Sequence, residues 1–167
     1  MNKTQYDTAE LEELVERTTD MIYRLAVVYC KSPSDAEDIV QEVYIKYCKQ
    51  RPNFESVEHE KAWFIRVTIN CCKDFIKSAW NQKTTALEDT MVSPELESND
   101  LLQYIMNLPK RYKLVVYLHY YMGYSIEEIG ALISKNPNTL RTWLFRARKM
   151  LKKVLEEEDE TWIKKSN

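Results

Sequence analysis

Apolar residues recur at helical spacing along most of the chain. Leu11, Leu14, Val15, Thr18, Ile22, Leu25, Ala26 and Tyr29 fall three and four apart, which predicts a first amphipathic helix. Pro33 ends its neighbourhood. Ser34-Asp35-Ala36-Glu37 then has the form of a capping box, with Ser at the N-cap and Glu at N3. It opens a second helix that turns Ala36, Ile39, Val40, Val43, Tyr44 and Tyr47 inward. The opposite side shows Asp35, Asp38, Gln41, Glu42 and Lys46, and Arg51-Pro52-Asn53 breaks the helix. A third helix is expected from about Glu58 to Lys77, with Ala62, Ile65, Ile69, Cys72 and Ile76 on one stripe. Trp63, Arg66, Asn70, Lys73 and Lys77 fall on its other faces.

Periodicity fades from Ser78 to Asn99, where Asn, Gln, Thr, Ser, Pro and acids dominate. A loop of that length inside one compact domain is uncommon, so two helical domains with a linker are expected. Beyond it, Asn99 or Asp100 caps a short helix ending near Leu108, and Pro109 suits the first position of the next. That helix holds Leu114, Val115, Leu118 and Tyr121, and Gly123 stops it. Ser125-Ile126-Glu127-Glu128 is a second capping-box pattern, leading a short helix with Ile126, Ile129, Leu132 and Ile133. After a turn at Ser134-Lys135-Asn136, Asn136 caps and Pro137 starts a last helix with Leu140, Trp143, Leu144, Ala147 and Leu151.

Composition narrows the chemistry. There are only 2 glycines in 167 residues, Gly123 and Gly130, too few for a Gly-rich phosphate loop. Rossmann and P-loop sites are therefore not expected, nor is a turn-rich barrel or sandwich. No apolar stretch reaches the roughly 18 residues of a membrane span, and the acidic first 16 residues lack a hydrophobic signal core, so a cytoplasmic location is expected. Cys30, Cys48, Cys71 and Cys72 form no CxxC pair and lie far from His59 and His119. They read as buried or half-buried free thiols, with no metal and no cofactor expected. No nucleophile–base pair stands out, and His119 among its tyrosines reads as a structural or surface residue, so enzyme activity is not expected.

The net charge of −2 hides a strong asymmetry. Residues 101–155 hold ten Lys/Arg against Glu127 and Glu128, a balance of +8. Residues 86–100, residues 156–160 and residues 1–40 each stand at −5, and residues 41–80 at +2. A basic module between acidic segments points to a local polyanion site. Two short helices with a tight turn, the second basic, make a helix-turn-helix, whose second helix enters the DNA major groove. With Leu140, Leu144, Ala147 and Leu151 inward, Asn138, Thr139, Arg141, Thr142, Phe145, Arg146 and Lys149 face outward. Arg can read guanine through two hydrogen bonds, and Thr can meet a base edge or a thymine methyl. Arg148, Lys152 and Lys153 read as phosphate contacts or solvated charge. In the third helix, Trp63, Phe64 and Trp80 stand beside Arg66, Lys73 and Lys77. Exposed aromatics next to bases can stack on unpaired nucleobases.

These runs resemble a known family. Ser34 to Val43 (SDAEDIVQEV), and Ala62 to Asn70 (AWFIRVTIN) followed by Asp74, are similar to region 2 of extracytoplasmic-function (ECF) sigma factors. Leu108-Pro109, Gly123 to Ile129 and Leu140 to Arg148 resemble their region 4. The resemblance covers about residues 20–152 in the family's order. It implies two small all-α domains, a region 2 bundle over 1–78 and a region 4 helix-turn-helix over 100–155, joined by a flexible acidic linker over 79–99. An acidic-then-basic tail follows over 156–167.

The resemblance also implies roles. Asp38, Gln41 and Glu42 are expected to dock on the clamp helices of the largest catalytic subunit of core RNA polymerase. Trp63, Arg66, Asn70, Lys73 and Lys77 are expected at the −10 element, with a flipped base held near Asn70 and the loop from Arg51 to Lys61 helping to form the pocket. Asn138, Thr139, Arg141, Thr142, Phe145, Arg146 and Lys149 are expected at the −35 element. The linker is expected in the RNA-exit path, and an anti-sigma factor, often membrane-anchored in the family, as a further partner. The chain departs from the family at Asn138, Thr142 and Trp143, where Gly, Ser and a basic residue are frequent. It also has Lys77-Ser78 in place of paired arginines. The first departures bear on −35 sequence preference rather than on role. A stand-alone helix-turn-helix regulator is the alternative, but it leaves the acidic second helix and aromatic third helix unexplained. A helical adaptor without DNA leaves the +8 balance unexplained.

Overall fold

The computed structural model describes residues 7–81 and 100–165, with side chains over 7–79 and 102–157. Seven α-helices are present among them: α1 Thr8–Cys30, α2 Pro33–Gln50, α3 Val57–Asn81, α4 Asp100–Asn107, α5 Lys110–Val116, α6 Ile126–Ile133 and α7 Pro137–Lys165. A π-helical turn, Tyr117–Tyr121, extends α5, and no strand occurs among the described residues. The chain divides into two compact units, Met1–Glu88 and Asp89–Asn167. The expected linker lies, over 82–99, outside the described residues.

The first unit is a three-helix bundle. Ile22, Leu25 and Ala26 of α1, Ala36, Ile39 and Val43 of α2, and Phe64, Ile65, Ile69 and Cys72 of α3 are buried together. Polar clasps fix how the helices pack. The Tyr44 hydroxyl lies 2.9 Å and 2.6 Å from the Thr18 and Thr19 hydroxyls of α1. The Arg17 guanidinium donates to both Glu60 oxygens, at 3.0 Å and 2.8 Å, tying α1 to the start of α3. That hydrogen-bonded carboxylate raises the Arg17 pKa.

The start of α2 corrects one expectation. Ser32, not Ser34, is the N-cap: its Oγ accepts from the Asp35 amide at 3.3 Å, and Pro33 is the first helical residue. Proline lacks the N–H that would be unsatisfied at that position and has its φ preset for a helix. Arg51, in the left-handed region at φ 45°, ends α2. Helix α3 opens at Val57, one residue before the expected start, so of residues 51–61, which the resemblance assigns to a pocket-forming loop, only 51–56 are loop. Among the thiols, Cys71 and Cys72 are buried and Cys30 is half-buried, but Cys48 is exposed on the polar side of α2.

The second unit is built around Ile105, Val115, Leu118, Ile129, Leu140 and Ala147, all buried. Pro109 is the N-cap of α5 rather than its first turn, its carbonyl accepting from the Tyr112 and Lys113 amides. The π-helical turn was not expected. There Met122 N–H donates to the Tyr117 carbonyl, five residues back, and Tyr117 and Tyr121 stack at 5.5 Å. The wider turn leaves Tyr121 exposed, not on the buried stripe. Gly123, at φ 76°, then reverses the chain. His119 is structural: its Nδ1 donates to the Tyr124 carbonyl at 2.7 Å, satisfying a group beyond the helix end.

The capping box of α6 forms as expected, with Ser125 Oγ accepting from the Glu128 amide and the Glu128 carboxylate accepting from the Ser125 amide at 2.7 Å. Those bonds, the backbone one first, hold the Glu128 carboxyl below its usual pKa. A Cβ at Gly130 would stand 2.8 Å from the Lys135 carbonyl oxygen, so the turn packs directly on α6. Asn136 caps α7, its Oδ1 accepting from the Asn138 amide at 2.8 Å. Helix α7 continues through the tail segment as far as Lys165.

Candidate nucleic-acid interface

Three surfaces emerge from the helices, each off the buried stripe of its element. On α2, Asp38, Gln41 and Glu42 are exposed together while Ala36, Ile39 and Val43 are buried. Ile45 extends the same face at i+7 from Asp38 and is 46% exposed. Sequence reading missed Ile45, although its spacing from Asp38, Gln41 and Glu42 was legible. It adds an apolar contact to an acidic patch.

On α3, Arg66, Asn70, Lys73 and Lys77 are exposed and fall four, three and four residues apart, along one face. None of the three cations makes an ion pair among the described residues. Phe64, expected among exposed aromatics, is instead fully buried, and Trp63 is half-buried. The reason is an aromatic cluster. Trp63 and Phe64 meet edge to face at 5.0 Å, and Tyr47 stacks on Phe64 at 5.6 Å. Phe54, from the loop 51–56, sits 5.9 Å from Trp63, 5.6 Å from His59 and 6.4 Å from Tyr47. Ser56 Oγ accepts from the His59 amide at 3.0 Å and His59 Nδ1 from the Glu55 amide at 3.4 Å. The loop is thereby pinned against the first two turns of α3 and Tyr47 of α2. Trp80 lies outside the residues whose side chains are described.

On α7, Asn138, Thr139, Arg141, Thr142, Phe145, Arg146 and Lys149 are all exposed, while Leu140, Leu144 and Ala147 are buried. Phe145 is 66% exposed, which no folding requirement explains. Several of these side chains have internal partners. Arg141 donates to Asn138 Oδ1 at 2.9 Å and also to Glu127 of α6. Thr142 Oγ1 donates to the Asn138 carbonyl at 3.1 Å. Arg146, and Arg111 at 3.1 Å, hydrogen-bond the hydroxyl of the buried Tyr112, which lowers its pKa. Arg148 instead points away, donating to the Tyr120 hydroxyl. It borders a groove of about 530 Å³ lined by Ile105, Val116, Tyr120, Tyr121, Leu151 and Leu155. Lys152 and Lys153 pair with Glu156 and Glu157 at 3.7 Å and 3.9 Å, one helical turn on.

Comparison with known proteins decides what these surfaces belong to. Residues 14–82 match the model of Sigma-70 region 2, and residues 98–151 that of Sigma-70, region 4. The RNA polymerase sigma factor SigV of Bacillus subtilis is 30% identical over 95% of this chain and 99% of its own. The chain belongs to the sigma-70 family. Its relatives place it among the ECF sigma factors: SigW of the same bacterium is 28% identical over 90% of this chain and 91% of its own. The fold agrees with that of the sigma factor RpoE of Bartonella quintana, solved with the anti-sigma factor NepR. The TM-score is 0.73 at 19% identity, covering 88% of this chain and 97% of that one. As a sigma factor the chain binds core RNA polymerase and directs promoter recognition, DNA opening and transcription initiation. Among the described residues no helix is long and apolar enough to cross a membrane.

Proposed function

We propose how this sigma factor divides its work among the three surfaces. Asp38, Gln41 and Glu42, joined by Ile45, dock on the polymerase clamp helices. Arg66, Asn70, Lys73 and Lys77 track the −10 strand, Asn70 holding an extruded base with Trp63 beneath it. The pinned loop 51–56 walls that pocket. A pocket that hydrogen-bonds and stacks offsets an unstacking cost of a few kcal/mol. Asn138, Thr139, Arg141, Thr142, Phe145, Arg146 and Lys149 meet the −35 duplex. Arg141 and Arg146 supply guanidinium forks for guanine, and Phe145 meets a thymine methyl.

The observation that carries this reading is Phe145, 66% exposed between two arginines on a helix whose apolar needs are already met by Leu140, Leu144 and Ala147. The expected ranges 1–78 and 100–155 serve as polymerase and −10 domain and as −35 domain, and the linker expected over 79–99 begins after Asn81, where α3 ends. The protein acts by binding rather than by catalysis, without a cofactor, in the cytoplasm beside the polymerase. An anti-sigma factor is the expected regulator. Support comes from the sigma factor RpoE, which shares the fold and was solved with the anti-sigma factor NepR; CnrH (TM-score 0.61, 17% identity) was solved in complex with the cytosolic domain of CnrY. The groove beside Tyr120 and Tyr121 suits an amphipathic helix of that partner.

The test is reconstitution with sigma-free core polymerase on fragmented genomic DNA, mapping transcript 5′ ends. Discrete starts sharing two upstream motifs are expected. DNA binding by the free chain with no polymerase complex would replace this reading by the stand-alone regulator.

A further inference from the structure

Arg141 is exposed on α7, yet its guanidinium is held at two nitrogens. Nη1 donates to Asn138 Oδ1 at 2.9 Å, and Nη2 donates to a carboxylate oxygen of Glu127. Asn138 is on the same helix, but Glu127 is 14 residues earlier, on α6. The helix dipole alone would favour an acid at this position in the first turn of α6. Glu128 already fills the capping role, however, with its carboxylate on the Ser125 amide. Glu127 is therefore free to reach across the helix-turn-helix. It and Glu128 are the two acids among residues 101–155, a segment otherwise carrying ten cations. An acid on a face that meets phosphates weakens attraction to every DNA sequence, so its presence there calls for a compensating use.

The donor inventory supplies one. A guanidinium has five N–H groups in a fixed plane. Two are taken by Asn138 and Glu127, and three remain, enough for the two-bond reading of a guanine edge. A fork held from outside its own helix loses fewer rotamers on binding than a free one. We propose that Glu127 is a positioning residue for promoter specificity, orienting the Arg141 guanidinium so that it discriminates one base of the −35 element. This rests on the −35 reading of α7. It assigns to α6 a share of sequence recognition without any contact to a base.

The experiment uses the full chain with core polymerase on a promoter library randomised across the −35 element. Wild type, Glu127→Ala, Glu127→Gln, Arg141→Ala and the Glu127→Ala/Arg141→Ala double variant are compared by transcript counts per sequence. Glu127 is exposed, so folding is not at risk; matched melting curves confirm it. Arg141→Ala is expected to flatten preference at one position. Glu127→Ala is expected to flatten the same position by about threefold to tenfold, part of the roughly 5–150-fold that a bidentate contact supplies. Binding to the other sequences is expected to hold or rise as a negative charge leaves the interface. Glu127→Gln, which keeps an acceptor oxygen, is expected to fall between. In the double variant, loss of Glu127 is expected to change that position no further. A uniform change across all sequences, an effect at another position, or an effect surviving in the double variant would overturn the proposal. If Arg141→Ala shifts no position, the base-reading role of Arg141 falls and the proposal with it. If Arg141→Ala shifts one and Glu127→Ala does not, only the positioning role falls.

Discussion

Phe54 offers the sharpest test of the proposed −10 pocket, because its ring anchors the loop assigned as the pocket's wall. The loop 51–56 begins in a strained left-handed residue, Arg51 at φ 45°, and has one aromatic anchor. The Phe54 ring packs on Tyr47, His59, Trp63 and Phe64 at centroid separations of 5.6–6.4 Å. Truncating a fully buried Phe to Ala costs about 3–5 kcal/mol. Phe54 is half-buried, so about half of that, roughly 1.5–2.5 kcal/mol, is expected for Phe54→Ala. Most of the loss falls on the loop, since the helices beneath keep Phe64, Ile65 and Ile69 buried. A shift of that size lowers the ratio of anchored to detached loop by about 10–60-fold. Base capture then weakens in proportion to the fraction of chains with the loop in place, which falls severalfold where the anchored form leads by about 1 kcal/mol or less. The assay is permanganate reactivity of −10 thymines in the reconstituted complex, read beside duplex binding through the −35 element. Opening is expected to fall severalfold or more, with −35 binding within about twofold, since the α7 face is untouched. Opening within twofold of wild type, in a variant whose melting temperature has dropped, would refute the reasoning: the cluster would then be plain core and the loop no part of the pocket.

Other predictions follow from single contacts. Asn70→Ala is expected to impair opening more than −35 binding, and equal opening on a duplex promoter would remove Asn70 from the pocket. Tyr112→Phe deletes only the hydroxyl that Arg146 and Arg111 share, so it should leave the melting curve nearly unchanged while weakening preference at the base read by Arg146. Ser134 ends α6 at φ 54°, where an L-residue is strained by about 1–2 kcal/mol and Gly is not. After the extra chain entropy that Gly loses, roughly 0.4–1 kcal/mol, Ser134→Gly should stabilise the second unit slightly, read as a rise in denaturation midpoint. The Glu128 carboxyl has a depressed pKa in the folded state, so the unfolded chain binds its proton first as pH falls. Its contribution is complete above the ordinary value of 4.5 and is lost as pH falls through the folded value. Glu128→Gln should therefore flatten the acid limb of the stability–pH curve, and an unchanged limb would show that the cap carries no linkage.

Legibility followed the range of the interaction. The helix-turn-helix was readable because its caps are local: Ser125 with Glu128, and Asn136 ahead of Pro137, act within three residues. The exposed faces of α2, α3 and α7 were readable because a helical period fixes which residues oppose the buried stripe. The first misreading was also local. Two serines flank Pro33, and the proline's preference for the first helical position selects Ser32 as the cap. Phe64 was misplaced because α3 buries a wide band, Phe64, Ile65, Thr68, Ile69, Cys71 and Cys72, rather than the narrow stripe through Ala62 and Ile76. The π-helical turn at Tyr117–Tyr121 has no pattern of its own; it is a choice of the fifth-residue carbonyl over the fourth, made by packing. The pairings Glu127–Arg141 and Tyr112–Arg146 join residues 14 and 34 apart in sequence, where no periodicity reaches.

Interleaving on a single helix lets one short element serve both the core and an exposed face. In α3 the buried Ile65, Thr68, Ile69 and Cys72 alternate with the exposed Arg66, Asn70, Lys73 and Lys77, so the helix that closes the core also carries the face proposed for the −10 strand. From Ile65 onward no residue of α3 serves both faces. Substitutions on the exposed set should therefore change promoter opening at nearly constant stability, and those on the buried set should lower stability first. The aromatic cluster is where that separation ends. Phe64 belongs wholly to the core, Trp63 is shared between the core and the face, and Phe54 belongs to the loop, within one connected set of rings. A mechanical link of this kind makes the geometry of the pocket depend on the packing of the bundle. Tyr47 is the α2 residue whose ring packs on both Phe54 and Phe64, so the anchor of the loop rests on α2 as well as on α3.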